Sequence, residues 1–231
     1  MKLISFNTQH CHNWPEGKIN YDKVADVIRD FDIICLNEMR GAGKNPAEHP
    51  DQIAEIAKRT GIENYYFAEA IYAGGLYPYG DAIFSKIPII SAETIAIPDP
   101  VEKKYDRWYE TRCVLHAELE NGLRVIITHM GLNPDEQELA VQTVVPLLRS
   151  EKCILMGDFN VGPTNPVLNP IREIMRDTAD LFDKDKLSYP SYNPEIKIDY
   201  IFVSPDIKVN SADIPEMVIS DHFPHFAEIE L

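Results

Sequence analysis

The stretch Cys153-Ile154-Leu155-Met156-Gly157-Asp158-Phe159-Asn160 decides how the rest of the chain reads. Its first four residues form an apolar run with no polar break, the pattern of a strand buried on both faces. Gly157 then allows a sharp backbone turn. Asp158 and Asn160 emerge at the strand's end, with hard oxygen atoms suited to Mg²⁺, Mn²⁺ or a phosphate-bound water. Taken by itself, the stretch is an Asp-Phe-Asn turn closing a core strand. Its recurrence along the chain changes that reading.

The design recurs in two mirror forms. An apolar run ends on a polar residue at Leu3-Ile4-Ser5-Phe6 before Asn7, at Ile33-Ile34-Cys35-Leu36-Asn37 before Glu38, and at Val125-Ile126-Ile127-Thr128 before His129. The polar residue comes first at Asp81 before Ala82-Ile83-Phe84 and at Arg112 before Cys113-Val114-Leu115. It does so again at Asp199 before Tyr200-Ile201-Phe202-Val203, and at Asp221-His222 before the closing run from Phe226. Strands of opposite direction bring both forms to one sheet edge. A core needs no carboxylates at its rim, so the pattern predicts a site there.

With 231 residues and 45% apolar content, the chain can bury a sizeable core. No Gly/Ser linker, charge block or repeat divides it, which predicts one domain over 1–231. The first apolar run is too short for a signal peptide and no later run is long enough to span a membrane, so a cytoplasmic protein is expected. Cys11, Cys35, Cys113 and Cys153 are widely spaced, three of them in strand runs, as reduced core thiols are. Formal net charge is −15, from 37 acidic and 22 basic residues. Non-specific affinity for nucleic acid comes from Lys and Arg neutralising phosphates, so this balance argues against a general DNA binder. A small phosphorylated substrate held through metal ions is compatible with it, because the metal supplies positive charge locally.

The loop Thr8 to Pro15 carries His10 and His12, read as substrate or solvent contacts ahead of a metal pair. The spacing of Val24, Val27, Ile28 and Phe31 predicts a helix over 21–31. A second helix is expected over 51–59, capped by Gly61. A strand begins at Tyr65, followed by a Gly- and Tyr-rich loop over 72–80 whose Tyr72, Tyr77 and Tyr79 could line a pocket rim. The loop 98–109 holds Lys103, Lys104, Arg107 and Trp108, either a substrate contact or a solvated loop. Glu120-Asn121-Gly122 predicts a hairpin turn. A helix over 136–149 is expected to turn Leu139, Thr143, Leu147 and Leu148 to the core and to bend at Pro146. Another helix is expected near 171–176, irregular chain over 177–195, and strands over 197–203, over 207–212 and after His222. Strands interleaved with helices, with antiparallel neighbours, predict two packed sheets flanked by helices.

The ordered set Phe6-Asn7, Asn37-Glu38, Thr128-His129, Gly157-Asp158-Phe159-Asn160, Ile198-Asp199-Tyr200-Ile201-Phe202 and Ser220-Asp221-His222 resembles the endonuclease/exonuclease/phosphatase superfamily. That superfamily is similar to deoxyribonuclease I, and the resemblance covers essentially the whole chain. Two positions depart from its commonest pattern: Asn37 replaces Gln, and Asp81 stands where Asn is frequent. The resemblance implies a four-layer α/β sandwich, two packed mixed or antiparallel β-sheets between helices, and hydrolysis of a phosphoester with Mg²⁺ or Mn²⁺. Such chemistry needs an in-line water, neutralisation of charge on the phosphoryl oxygens and help for the leaving oxygen. On this resemblance Glu38 is the principal metal ligand, with Asn7 and Asp221 beside it. Asp158 and Asn160 orient the attacking water and a phosphoryl oxygen, around one metal ion or two. Asp199 holds His222 in one tautomer and favours its charged form, and His222 is either general base or phosphate-binding imidazolium. His129 and Arg112 contact the phosphate, with His10 and Asp81 at the substrate. Asp81 is further expected to pair with His129 and raise its basicity.

A catalytically inactive phosphate-binding module should lack one of these residues, and none is missing. A zinc hydrolase should show spacing such as H-E-x-x-H, which is absent. Among enzymes, the choice lies between a nuclease of DNA-repair type and a phosphodiesterase acting on a small or lipid-headgroup phosphoester. Few positive residues stand near the inferred site: Arg112, with Lys103, Lys104 and Arg107 in a loop. The expectation is therefore a monomeric phosphodiesterase with little affinity for duplex DNA, in which Trp14, Tyr77 or Trp108 could hold an alcohol group beyond the phosphate.

Overall fold

The computed structural model describes residues 1–231 except Asp183 and Asp185. The first half of the chain runs β1 (Lys2–Asn7), a short ribbon of β2 (His12–Asn13) and β3 (Lys18–Ile19), α1 (Tyr21–Ile28), β4 (Ile33–Arg40), α2 (Gln52–Thr60), β5 (Asn64–Ala73) and β6 (Tyr77–Ser85). The second half runs β7 (Ile89–Ala96), β8 (Cys113–Leu119), β9 (Arg124–His129), α3 (Pro134–Val144), β10 (Cys153–Asp158) and α4 (Asn169–Arg172). It closes with β11 (Arg176–Asp177), β12 (Asp199–Val203), β13 (Lys208–Asp213) and β14 (His225–Glu230). Two six-stranded sheets result, ordered β13-β14-β1-β4-β6-β5 and β11-β12-β10-β9-β8-β7.

The unbroken apolar runs fall where both strand faces are covered. Leu3, Ile33, Cys35 and Ile83 of the first sheet meet Leu115, Ile127, Ile154, Met156 and Ile201 of the second in a common core. The alternate residues Ile4, Phe6, Ile34 and Leu36 turn outward, to a core completed by Val24 and Ile28 of α1 and Ile53 and Ile56 of α2. On the far side Leu155, Ile126 and Phe202 pack with Ala140, Val141 and Val144 of α3. Each fully buried side chain of this size contributes about 1.5–3 kcal/mol. The result is the α/β sandwich of two mixed sheets with flanking helices that the strand pattern predicts. All four cysteines are free and buried, as expected.

Each sheet has a parallel pair at its centre, β1 with β4 and β10 with β9. A parallel pair needs a crossover, and α1 and α3 supply the two. The carboxyl ends of all four central strands therefore point the same way within each sheet. Antiparallel partners pass the same rims: β12 begins at Asp199, which pairs with Asp158, whereas Asp81 does not open its strand but lies within β6, one step before Ala82, the partner of Leu36.

Several local expectations are corrected. Gly157 makes no turn: it lies within β10, level with Thr128 and Tyr200. Its φ of +145° and the space beside it explain the glycine, since a Cβ there would stand 1.8 Å from the Thr128 carbonyl oxygen. The Tyr-rich segment 72–80 is mostly strand, because β5 and β6 form a long hairpin around Gly74 and Gly75, both at positive φ. Strand β7, with its exposed and intermediate residues, went unpredicted. Helix α3 starts at Pro134 and buries Glu136, Gln137, Ala140, Val141 and Val144, while Pro146 falls in a 3₁₀ turn after the helix has ended. Thr143 bonds back to the Leu139 carbonyl. The helix near 171 is only Asn169–Arg172, and Arg176 already belongs to β11. Helix α2 matches its reading: the Asp51 side chain accepts the Ile53 and Ala54 N–H groups, and Gly61 closes it at φ +71°. Among the described residues, no helix is long and apolar enough to cross a membrane.

Candidate active site

The two rims meet through Asp158. Its Oδ2 accepts a hydrogen bond from Asn7 Nδ2 of the first sheet at 3.0 Å. The same oxygen lies 3.4 Å from His129 Nε2 and 3.6 Å from His222 Nε2. Its Oδ1 accepts the Asn160 N–H at 2.9 Å, within the Asp158-Phe159-Asn160 turn where Asn160 has φ +53°. Asn37 forms the second link between the sheets. Its Oδ1 accepts the Asp158 N–H at 3.1 Å, while its Nδ2 donates to Asp81 at 2.8 Å. The sequence marks Asn37 only by its place before Glu38 and its replacement of Gln, although a polar residue inside a buried strand signals a buried partner.

Glu38 reaches the cleft by a local irregularity. The pairing of β4 with β6 shifts between Leu36 and Met39, and Glu38 sits in the bulge at φ +61°. A bulge re-aims a side chain and bends its strand. The Glu38 side chain keeps 21% exposure, with Oε1 accepting from Asn7 Nδ2 at 3.1 Å and Oε2 3.8 Å from His10 Nε2. Asn7 Oδ1 accepts the Gln9 N–H, so Asn7 turns its amide nitrogen, not its oxygen, toward the two carboxylates. After Thr8, the residues Gln9, His10 and Cys11 all have positive φ, a cluster of backbone strain beside the cleft. Asp221 accepts from the Ser220 hydroxyl; burial and the neighbouring Glu38 charge raise its pKa.

Proton positions differ sharply between the two buried imidazoles. Burial alone would lower the His222 pKa, but Asp199, 2.9 Å from Nδ1, and then Asp158 outweigh it and raise it to about 10. His222 is therefore an imidazolium at neutral pH. Burial, then the charges of Arg112 and His222, hold His129 well below the ordinary histidine range. As a neutral ring His129 accepts from Arg112 Nη1 at 2.8 Å through Nδ1 and keeps its proton on Nε2, facing Asp158. Burial pushes the Asp158 carboxyl up to about 7, although His222 opposes this.

The expected Asp81–His129 pair does not form. Asp81 takes the Asn37 amide, and His129 faces Arg112 and Asp158. Arg112 stands behind His129, only 12% exposed, with Nη1 also 2.8 Å from Glu110 Oε1. Glu110, just outside any strand run, gave no sign in the sequence. The Asn160 amide donates to the Met130 carbonyl. His10 and His12 part company, His10 toward Glu38 and His12 toward Gln9. Lys103 lies over the Tyr109 ring, Lys104 is 3.8 Å from Glu102, and Trp108 is 75% exposed, so the loop carrying them is solvated. Tyr72 engages Lys44 of the polar loop after β4 and Tyr77 engages Arg40 at the end of β4, while Tyr79 lies against His10.

The central strands of a mixed two-sheet sandwich thus deliver carboxylates, amides and imidazoles to facing rims. The chain belongs to the Endonuclease/Exonuclease/phosphatase family, which matches residues 4–222. Among curated proteins, none matches it by sequence. Several solved structures share its fold. A family protein from Leptotrichia buccalis has a TM-score of 0.78 at 19% identity, covering 100% of both chains. The mannosyl-6-phosphatase of Bacteroides thetaiotaomicron has 0.72 at 20%, also with 100% of both chains covered. The 3′ phosphatase of Neisseria bound to a product DNA hairpin has 0.66 at 17%, again over 100% of both.

Proposed function

We propose that this protein hydrolyses a small phosphoester with the help of a divalent cation, Mg²⁺ or Mn²⁺, and prefers a diester to a monoester. The observation that carries the reading is the junction at Asp158, where a charged His222, a neutral His129 and the Glu38–Asn7 pair converge on one carboxylate. The donor chemistry fits a hard cation. Glu38 and Asp221 are like charges in one cleft, and Glu38 raises the Asp221 pKa, so a cation between them relieves repulsion. These two residues would hold the ion, with Asn7 orienting Glu38 by its N–H rather than ligating. Asp158, Asp199 and His222 also have ligand atoms within 4.8 Å of one another. There the His222 imidazolium already supplies one positive charge to the carboxylates. The bound ion would supply positive charge to the phosphoryl oxygens.

The chain's own groups divide the remaining work. His222, held by Asp199, offers its Nε2–H to a phosphoryl oxygen, and as an imidazolium it has no lone pair with which to accept a proton. Asp158, poised near neutrality, takes the proton of the attacking water. His129, its tautomer held by Arg112, offers a second N–H. Asp81 supports Asn37 from behind. The diester preference follows from charge: a rim crowded with carboxylates tolerates one negative charge on the substrate better than two. The named activities of two similar structures, both phosphatases, make the monoester the necessary comparison. A panel of phosphomonoesters, phosphodiesters, single- and double-stranded DNA, RNA and phospholipids, assayed with each metal, tests the proposal. Turnover of small diesters that stops in excess chelator is expected; undiminished turnover in chelator would sink it.

A further inference from the structure

Beside His222 stands an aromatic wall that no catalytic role uses. Trp14 and Tyr192 come from loops 178 residues apart and stack with ring centroids 5.2 Å apart at 28°. Both remain open, Trp14 at 40% and Tyr192 at 62% exposure. Each is anchored to the segment carrying the site. The Trp14 N–H donates to the Ile219 carbonyl, and its indole N–H to Gln9 Oε1. The residue before Tyr192, Ser191, donates its N–H to the Asp221 carbonyl and its hydroxyl to the Ser220 carbonyl. Tyr189 continues the wall inward, its ring 4.7 Å from the His222 ring.

We propose that the free face of Tyr192, backed by Trp14, is a stacking subsite for a flat ring on the alcohol side of the phosphoester, such as a nucleobase. The inference rests on the hydrolase reading for the position of the phosphate. One Tyr192 face lies on Trp14, so the other is presented to solvent and can extend the stack. A pyranose ring would need polar groups around it to read its hydroxyls. Several nearby ones are already engaged: Gln9 Oε1 by Trp14, the Ser191 hydroxyl by Ser220, and the Asn193 amide by Glu195. A flat apolar face with few free donors suits a planar ring, which binds by stacking irrespective of its edge.

The chain has two tryptophans, so Trp108→Phe leaves Trp14 as the sole fluorescent reporter. This variant is titrated with adenosine 5′-monophosphate and with ribose 5-phosphate, which share the ribose and one phosphomonoester group and differ by the base. Adenosine monophosphate is expected to quench Trp14 and bind roughly tenfold or more tighter, the scale of one stacking contact. Tyr192→Ala in the same background should erase that advantage, Tyr192→Phe should keep it, and ribose 5-phosphate should bind all three alike. Equal binding of the two ligands, or an advantage surviving Tyr192→Ala, overturns the subsite. Ring-dependent binding by a protein that hydrolyses no phosphoester would leave the subsite standing and remove the hydrolase; turnover of sugar phosphates and nucleotides alike would do the reverse.

Discussion

In the first sheet the central strands deliver Asn7 and Glu38 to the rim; in the second they deliver His129 and Asp158. The two are alike in topology, each a parallel pair joined by a crossover helix and flanked by antiparallel strands. They differ in access to water. The Glu38 side chain is 21% exposed, whereas Asp158 and Asp199 stand at 2% and 0%. A partly hydrated carboxylate can exchange water for a cation. A buried one must be neutralised from within the protein, since an isolated charge in a low dielectric is very costly. The second rim does this with the His222 imidazolium and the Asn7 and Asn160 donors. Equivalent strand ends thus differ in kind: one rim keeps a partly hydrated carboxylate, and the other holds its charges inside the protein.

The largest break in this comparison should come from Glu38→Ala. Removing the exposed carboxylate is expected to lower metal-dependent turnover by ~1000-fold or more, since the ion's charge stabilisation amounts to several kcal/mol. The melting temperature should scarcely move, because the residue carries no core packing. Comparable turnover in the variant, measured at saturating Mg²⁺, would remove Glu38 from the cation site.

On the second rim, His222→Ala is expected to cost roughly a hundredfold or more in turnover, the scale of losing one preorganised donor to a developing charge. If Asp199 acts only through His222, adding Asp199→Asn should cost little more. Multiplying losses in the double variant would separate the two. The same pair sets the pH profile. Turnover should rise through about pH 7 as Asp158 loses its proton and fall toward pH 10 as His222 loses its own. Because the folded His222 pKa lies above its unfolded value near 6.5, its stabilising contribution is complete below that value and disappears as pH rises through about 10. Chemical denaturation across this range, with His222→Ala lacking the alkaline loss, measures it.

Smaller effects probe the link between the rims. Asn37→Ala leaves the buried Asp158 N–H without its acceptor and Asp81 without its donor, and should destabilise the protein by at least ~2 kcal/mol. The smallest effect belongs to Asp81→Asn. Without an Asp81–His129 pair, the variant should keep near-normal turnover and an unshifted pH profile. A shift of the profile by a whole pH unit would restore the coupling that the geometry denies.

Much of this was legible in residue order alone. Apolar runs with polar ends identify the buried strands and nearly every group at the rims, because a strand covered on both faces leaves its polar residues nowhere else to go. Asp51 and Gly61 fix the ends of α2 by local capping chemistry, which needs no tertiary partner. The sequence was silent where an outcome depended on distant chain. Strand β7 shows few buried residues, so periodicity had little to detect. The Asp81–His129 pair was plausible by residue type, but Asn37 and Arg112, from two different strands, took the partners. The bulge at Glu38, the charge on His222 and the neutrality of His129 depend on distances and burial among residues up to 151 positions apart, as in the Asn7–Asp158 bond. Residue types determine which protons and charges are available; only packing sets the local dielectric and the neighbours, and with them which group keeps its proton.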